Sequence, residues 1–166
     1  MDKVNFKEIF FNSIIVLLIF LIDRISKIYI FKLAELDKIV EIYLTPYLNI
    51  YLVWNKGIAF GLLSFDESLI YSIITTIIIA VTILIFIMIL RSNGFQKYSL
   101  LIILSGSLGN LFDRIYFKAV PDFIDFHIYE FHWFIFNVAD IFISIGVVCL
   151  IFAEIFLDKE TNDKNN

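Results

Sequence analysis

One cysteine, two histidines and no cluster of basic side chains leave this 166-residue sequence little scope for disulfide, metal or nucleic-acid chemistry. Cys149 lies alone inside an apolar run, so a disulfide framework and zinc-finger spacing are both excluded, and it reads as a small packed apolar residue. His127 and His132 form no His-Glu-x-x-His helix, which argues against a metalloprotease, and both read as interfacial side chains. A net charge of -4 with no basic patch argues against nucleic-acid binding. Charged residues make up only 18% of the chain, and they collect between long apolar runs.

What the sequence has in abundance is apolar residues: 60% of the total, with a mean hydropathy of +0.88. A bilayer span needs about 20 residues, and four candidates fit, over about 9–31, 69–90, 98–117 and 133–157. The expected architecture is a single domain over 1–166, an all-α membrane bundle of four transmembrane helices. The apolar run that follows Lys3 and Lys7 ends in Asp23-Arg24 with no small-residue cleavage site, so it is expected to stay as the first span. Residues 38–65 are rich in Ile, Val, Tyr and Leu, with turn signals at Thr45-Pro46 and Asn55-Lys56-Gly57. They predict short strands, a small extracytoplasmic sheet or cradle lying against the bilayer. Lys3, Lys7, Arg91, Lys97, Lys159 and Lys164 fall on one side of the four spans, which places both termini in the cytoplasm.

Ionisable groups at membrane depth cost at least about 2.5 kcal/mol each on insertion scales, so they face a bundle interior or a wet cavity. Asp23 and Lys27 are four apart and share a helix face. Asn137 and Asp140 are three apart on the fourth span. Gly106, Asn110 and Asp113 follow one face of the third, with Gly109 beside them. All lie toward the outer ends of their spans, where one cavity could serve them together.

Each has a plainer reading. Asp23 and Lys27 serve equally well as an ion pair that locks the first span. Asp113 beside Arg114 suggests a permanently ionised structural charge, and Asn110 and Asn137 suggest hydrogen-bonding braces. Asp140 has no basic residue on its own span, which suits proton transfer. Asp122 could be a solvated loop acid, yet Phe123, Ile124 and Phe126 would anchor its loop to the bilayer surface. Asp125 reads as an ordinary interfacial charge.

Five segments in order resemble the motifs of the lipoprotein signal peptidases, the signal peptidase II family. They are Asp23-Arg-Ile-Ser-Lys27, Asn55-Lys-Gly-Ile-Ala-Phe-Gly61, Gly106-Ser-Leu-Gly-Asn-Leu-Phe-Asp-Arg114, Asp122-Phe-Ile124 and Phe136-Asn-Val-Ala-Asp140. The resemblance implies an aspartic endopeptidase that cuts the signal peptide from prolipoproteins just before a diacylglyceryl-modified cysteine. It implies no metal and no cofactor, a home in the bacterial inner membrane, and inhibition by globomycin-type peptides. Carried over by position, Asp122 and Asp140 are the catalytic pair. Asn55, Gly57, Asn110, Asp113, Arg114 and Asn137 line or support the pocket, and Asp23 and Lys27 brace the first span. Pro121, Ser105, Ser107, Phe134 and Ile141 depart from the family pattern, which bears on loop geometry and pocket shape.

Two carboxylates held close share one proton and titrate as a pair. A serine peptidase lacks support, since no histidine on a span could activate Ser107 and Ser26 points another way. Two rivals remain: a non-catalytic scaffold whose polar stripes only glue the helices together, and a small proton-coupled transporter subunit using intramembrane Asp23, Asp113 and Asp140 as a relay. The lack of inverted repeats counts against the transporter.

Overall fold

The only two prolines, Pro46 and Pro121, lie outside the long apolar runs, so nothing breaks helical hydrogen bonding within them. The computed structural model describes residues 6–37, 40–57, 67–129 and 131–157. The element order is α1 (Phe6–Asp37), β1 (Glu41–Thr45), β2 (Leu48–Asn55), α2 (Glu67–Arg91), α3 (Gly94–Phe117), β3 (Val120–Ile128), β4 (Phe131–Phe136) and α4 (Val138–Phe152). A π-helical turn, Ala153–Leu157, continues α4.

Among the described residues three helices are long and apolar enough to cross a membrane: Leu69–Arg91, Gly94–Phe117 and Val138–Phe156. Helix α1 is longer, 32 residues, or about 48 Å at 1.5 Å per residue. Asp23, Arg24 and Lys27 interrupt its apolar sequence. Those groups turn inward, where Asp23 and Lys27 are buried, while Leu17, Ile25 and Ile28 on the same helix are exposed. The molecule is apolar outside and ionic within, the inverse of a water-soluble bundle.

The four strands form one antiparallel meander in the order β1-β2-β3-β4. This corrects two expectations. The sheet is not confined to 38–65: β3 and β4 supply half of it, and residues 58–65 lie outside the described residues. The fourth helix begins at Val138 rather than near 133, because residues 131–136 pair with β3, matching Phe134 to Phe126 and Phe136 to Ile124. Helix α1 also outruns the expected 9–31 at both ends.

Strands β1 and β2 lie between α1 and α2, and β3 and β4 between α3 and α4, so the whole sheet gathers at one end of the bundle. Ile30, Val40 and Phe123, packed with Leu33, Ile50 and Val138, seat it there. A second cluster of Ile89, Leu100, Leu101, Ile103 and Leu104 joins α2 to α3 toward the other end.

Helix α3 packs against the other three helices. Its approach to α1 depends on Gly109, where a Cβ would come within 2.8 Å of Asp23 Oδ2. A small residue there lets a carboxylate stand where a side chain would otherwise be.

Candidate active site

Asp122 sits on β3 rather than on a loop, and it is buried. Two amides hold it: Asn137 Nδ2 donates to Oδ1 at 2.6 Å and Asn55 Nδ2 to Oδ2 at 2.9 Å. Burial pushes the Asp122 carboxyl above the ordinary aspartate range. The Asn137 and Asn55 bonds pull it back, with a smaller pull from Lys27, and the nearby charge of Asp140 adds to the rise.

Asp140 occupies the first turn of α4. Asn137 caps that helix: its Oδ1 accepts from the Asp140 backbone N–H at 3.2 Å, and Asp140 Oδ2 accepts from the Asn137 N–H at 3.1 Å. Asp140 Oδ1 takes a third bond, 2.7 Å, from Asn110 Nδ2 on α3. Asn137 therefore touches both acids, Asp122 through its amide nitrogen and Asp140 through its oxygen and backbone.

The three asparagines share one design. An obligate donor engages each Oδ1: the Gly57 N–H at 2.6 Å for Asn55, Lys27 Nζ at 3.2 Å for Asn110, and the Asp140 N–H for Asn137. With the oxygen so occupied, each NH2 group must face a carboxylate. Among the described residues no cation forms a salt bridge with Asp122 or Asp140.

The cations are held nearby by other acids. Lys27 lies 2.8 Å from Asp23 and 2.6 Å from Asp113. Arg24 binds Asp23 at 2.5 Å, Asp113 through its two terminal guanidinium nitrogens, Nη1 and Nη2, and the Gly109 carbonyl at 3.1 Å. Asp23 Oδ1 also accepts the Ala139 N–H at 3.1 Å, which ties α1 to the start of α4. Two acids and two bases thus form a balanced, buried cluster. The partners of Asp113 are Arg24 and Lys27, not the adjacent Arg114 that its sequence position suggested.

Arg114 serves a different space. Its Nε and Nη1 are buried without a hydrogen-bond partner among the described residues. Its guanidinium stands over the Tyr71 ring, 5.9 Å from the centroid, and the Tyr71 hydroxyl donates to the Arg114 carbonyl. Gly57, with φ +82, lets the β2 end pass close by; a Cβ there would stand 3.3 Å from the Arg114 guanidinium. Asn55, Asn110, Arg114, Asp122 and Asp140 all line one cavity of about 320 Å³, closed on the α2 side by Ile78, Val81 and Thr82.

Of the site residues expected from the sequence, Asn55, Asn110, Arg114, Asp122 and Asp140 line the cavity, Asn137 bonds both acids, Gly57 borders the Arg114 guanidinium, and Asp23, Lys27 and Asp113 fall in the ion cluster. Sequence reasoning gave no role to Arg24 or Tyr71. The signal for Arg24 was charge balance: two acids and Lys27 alone leave one negative charge uncompensated in an apolar interior. Of the departures from the family pattern, Ser107 lines the cavity, Phe134 and Ile141 are exposed away from it, and Ser105 is buried and bonds the Leu101 carbonyl. Pro121 faces Trp54 on β2 at a point where β4 pairing, which begins at Ile124, has ended, so a missing N–H is tolerated. Asp125 is buried, not interfacial.

Helices apolar outside, ionisable groups collected within, and a polar cavity lined by two carboxylates unpaired with cations define a class: a multi-pass membrane protein with an acid-lined pocket. Comparison with known proteins gives the family. The sequence profile of Signal peptidase (SPase) II matches residues 15–156. The lipoprotein signal peptidase of Pelagibacter ubique is 54% identical over 166 residues, 99% of this chain and 100% of that protein. That of Aquifex aeolicus is 39% identical, covering 83% of this chain and 81% of its own. A bacterial membrane enzyme solved in meso at 2.3 Å superposes with a TM-score of 0.68 at 31% identity, covering 99% of this chain and 96% of that one. A second, at 1.9 Å, gives 0.70 at 30% identity over 94% of this chain and 98% of that one. The chain belongs to the signal peptidase II family.

Proposed function

We propose that this protein is a four-span aspartic endopeptidase of the bacterial inner membrane, with both termini in the cytoplasm. It removes the signal peptide from diacylglyceryl-modified prolipoproteins by cutting just before the lipid-modified cysteine. The observation that carries the reading is that Asp122 and Asp140 line one cavity, are linked through Asn137, and among the described residues accept hydrogen bonds only from amides. The exposed apolar face of α1, with its charges turned inward, supports a fourth span.

In the proposed reaction the acids share a proton. The ionised member takes a proton from a water molecule as it attacks the peptide carbonyl, and the protonated member donates to the carbonyl oxygen. The asparagine NH2 groups orient both carboxylates without supplying the full positive charge that would hold both ionised. The spare donors of Arg114 suit a backbone carbonyl of the substrate. Asn55 and Gly57 carry the end of β2 to the cavity mouth, where an extended substrate could lie along the sheet. Asp23, Lys27 and Asp113 act as braces. A proton relay would need Asp23 and Asp113 free of strong partners, and both are held in ion pairs, so the transporter reading finds no support.

The test is cleavage of a synthetic diacylated preprolipopeptide by the purified protein. Asp122→Asn and Asp140→Asn should each abolish cutting while still inserting and folding, and globomycin should block the wild type. Near-wild-type turnover by either variant would overturn the assignment.

A further inference from the structure

Strand β3 carries acids on both faces. Side chains alternate along a strand, so Asp122 points to one face while Asp125 and His127 share the other. The register pairs His127 with His132 on β4, which brings that ring to the same face. Asp125 is buried and His127 nearly so, whereas the His132 side chain is about half exposed.

The donor atoms converge. His132 Nδ1 lies 2.9 Å and 2.8 Å from the two Asp125 oxygens, and His127 Nδ1 lies 3.7 Å from Oδ2. One ligand atom from each of the three residues falls within 4.8 Å of the others. His127 Nδ1 is buried and has no hydrogen-bond partner among the described residues, although it is aimed at a carboxylate. Such an orphan carries an unrepaid desolvation cost, which a ligand at this point would remove. Bonds of about 2.0–2.1 Å to a tetrahedral zinc ion separate neighbouring donors by about 3.3 Å. The two separations from Asp125 Oδ2, 2.8 and 3.7 Å, bracket that value, and the two rings' donors lie within 4.8 Å of each other. Asn49, directly across β2 from Asp125, adds a buried Oδ1 that also lacks a partner among the described residues.

We propose that Asp125, His127 and His132 form a binding site for a divalent transition-metal ion of the zinc class. The site lies on the face of β3 opposite Asp122. The ion is bound by the Nδ1 atoms of both rings and an Asp125 oxygen. Two neutral imidazoles and one carboxylate suit zinc or its cobalt substitute rather than calcium or magnesium, which prefer all-oxygen sites. By joining β3 to β4 beside a register shift between Phe126 and His127, the ion staples the outer end of the sheet. It takes no part in peptide hydrolysis.

The experiment titrates cobalt(II), then zinc(II), into the full-length protein in detergent, with any affinity tag removed and trace metal stripped. The expected result is one ion per chain, with visible cobalt bands of a nitrogen–oxygen site and no thiolate charge-transfer band from Cys149. Loss of an outer-shell partner alone weakens metal sites roughly 10–100-fold, so His132→Ala should weaken binding by at least about tenfold. His127→Ala should do the same. Zinc should raise the melting temperature of the wild type and not of the His132 variant, whose half-exposed side chain can be truncated with little loss of packing and whose fold is checked by circular dichroism and gel filtration. Asp122→Asn and Asp140→Asn should bind like the wild type. The proposal is overturned by absence of stoichiometric binding, by binding that survives both histidine substitutions, or by binding lost only in the Asp122 or Asp140 variants.

Discussion

Lys27 Nζ lies 3.2 Å from Asn110 Oδ1, and this contact turns the asparagine's NH2 group toward Asp140 at 2.7 Å. Lysine has only donors, so the amide cannot reverse while Lys27 stays in place. Removing the amide and keeping the ion cluster isolates its part in the reaction. Asn110→Ala should lower kcat by about a hundredfold, the scale of loss that small misplacements of reacting groups produce, with KM little changed. Steady-state kinetics on a diacylated preprolipopeptide check this; a change confined to KM would assign Asn110 to substrate binding instead.

Arg24 joins Asp23 and Asp113 across the contact between α1 and α3. Replacing it with methionine leaves a buried surplus of negative charge, at a cost of about 3–5 kcal/mol. Arg24→Lys should recover only part, because an ammonium cannot reproduce the planar fork that spans both acids. Denaturation in mixed micelles should rank the proteins wild type, Arg24→Lys, Arg24→Met.

Gly109→Ala places a methyl group 2.8 Å from Asp23 Oδ2, and that carboxylate is held by Arg24, Lys27 and the Ala139 N–H. Overpacking at such a rigid point costs about 1–3 kcal/mol. The same denaturation assay should show the loss, and a stability equal to the wild type would mean that α1 can shift away at no cost.

The raised pKa of Asp122 sets the sign of a pH effect. The folded protein holds this proton more tightly than the unfolded chain, whose aspartates titrate near about 3.9. Below that value both states are protonated and the contribution is fully present. As pH rises from there through the raised pKa, the unfolded chain binds fewer protons than the folded one and the contribution is lost. Melting temperatures measured from about pH 4 to about pH 7 should therefore decline more steeply for the wild type than for Asp122→Asn. Parallel curves would show that Asp122 does not titrate in that window.

Helical spacing made the local pairs legible. Asp23 and Lys27, four apart, do meet, and Asn137 and Asp140, three apart, form a reciprocal helix cap. Side chains from all five motif segments come together at one end of the bundle. Contacts between elements were not legible in the same way, since periodicity says which face a residue occupies and not what stands opposite. Arg114 therefore looked like the partner of Asp113, and Arg24 was passed over. The β3–β4 hairpin was hidden for another reason. Phe131, Trp133, Phe134, Ile135 and Phe136 are as apolar as a span, so only the cap at Asn137 marks where strand gives way to helix.

Asn137 is the single residue between β4 and α4. The joint has no slack: tilting the hairpin would drag the first turn of the helix with it, and Asn137 also clasps Asp122 on the neighbouring strand. The two acids thus move as one block, like jaws cut from the same piece of metal. Any motion that admits a polypeptide must come from the walls around them, and lengthening this joint by even one residue should pull the jaws out of line.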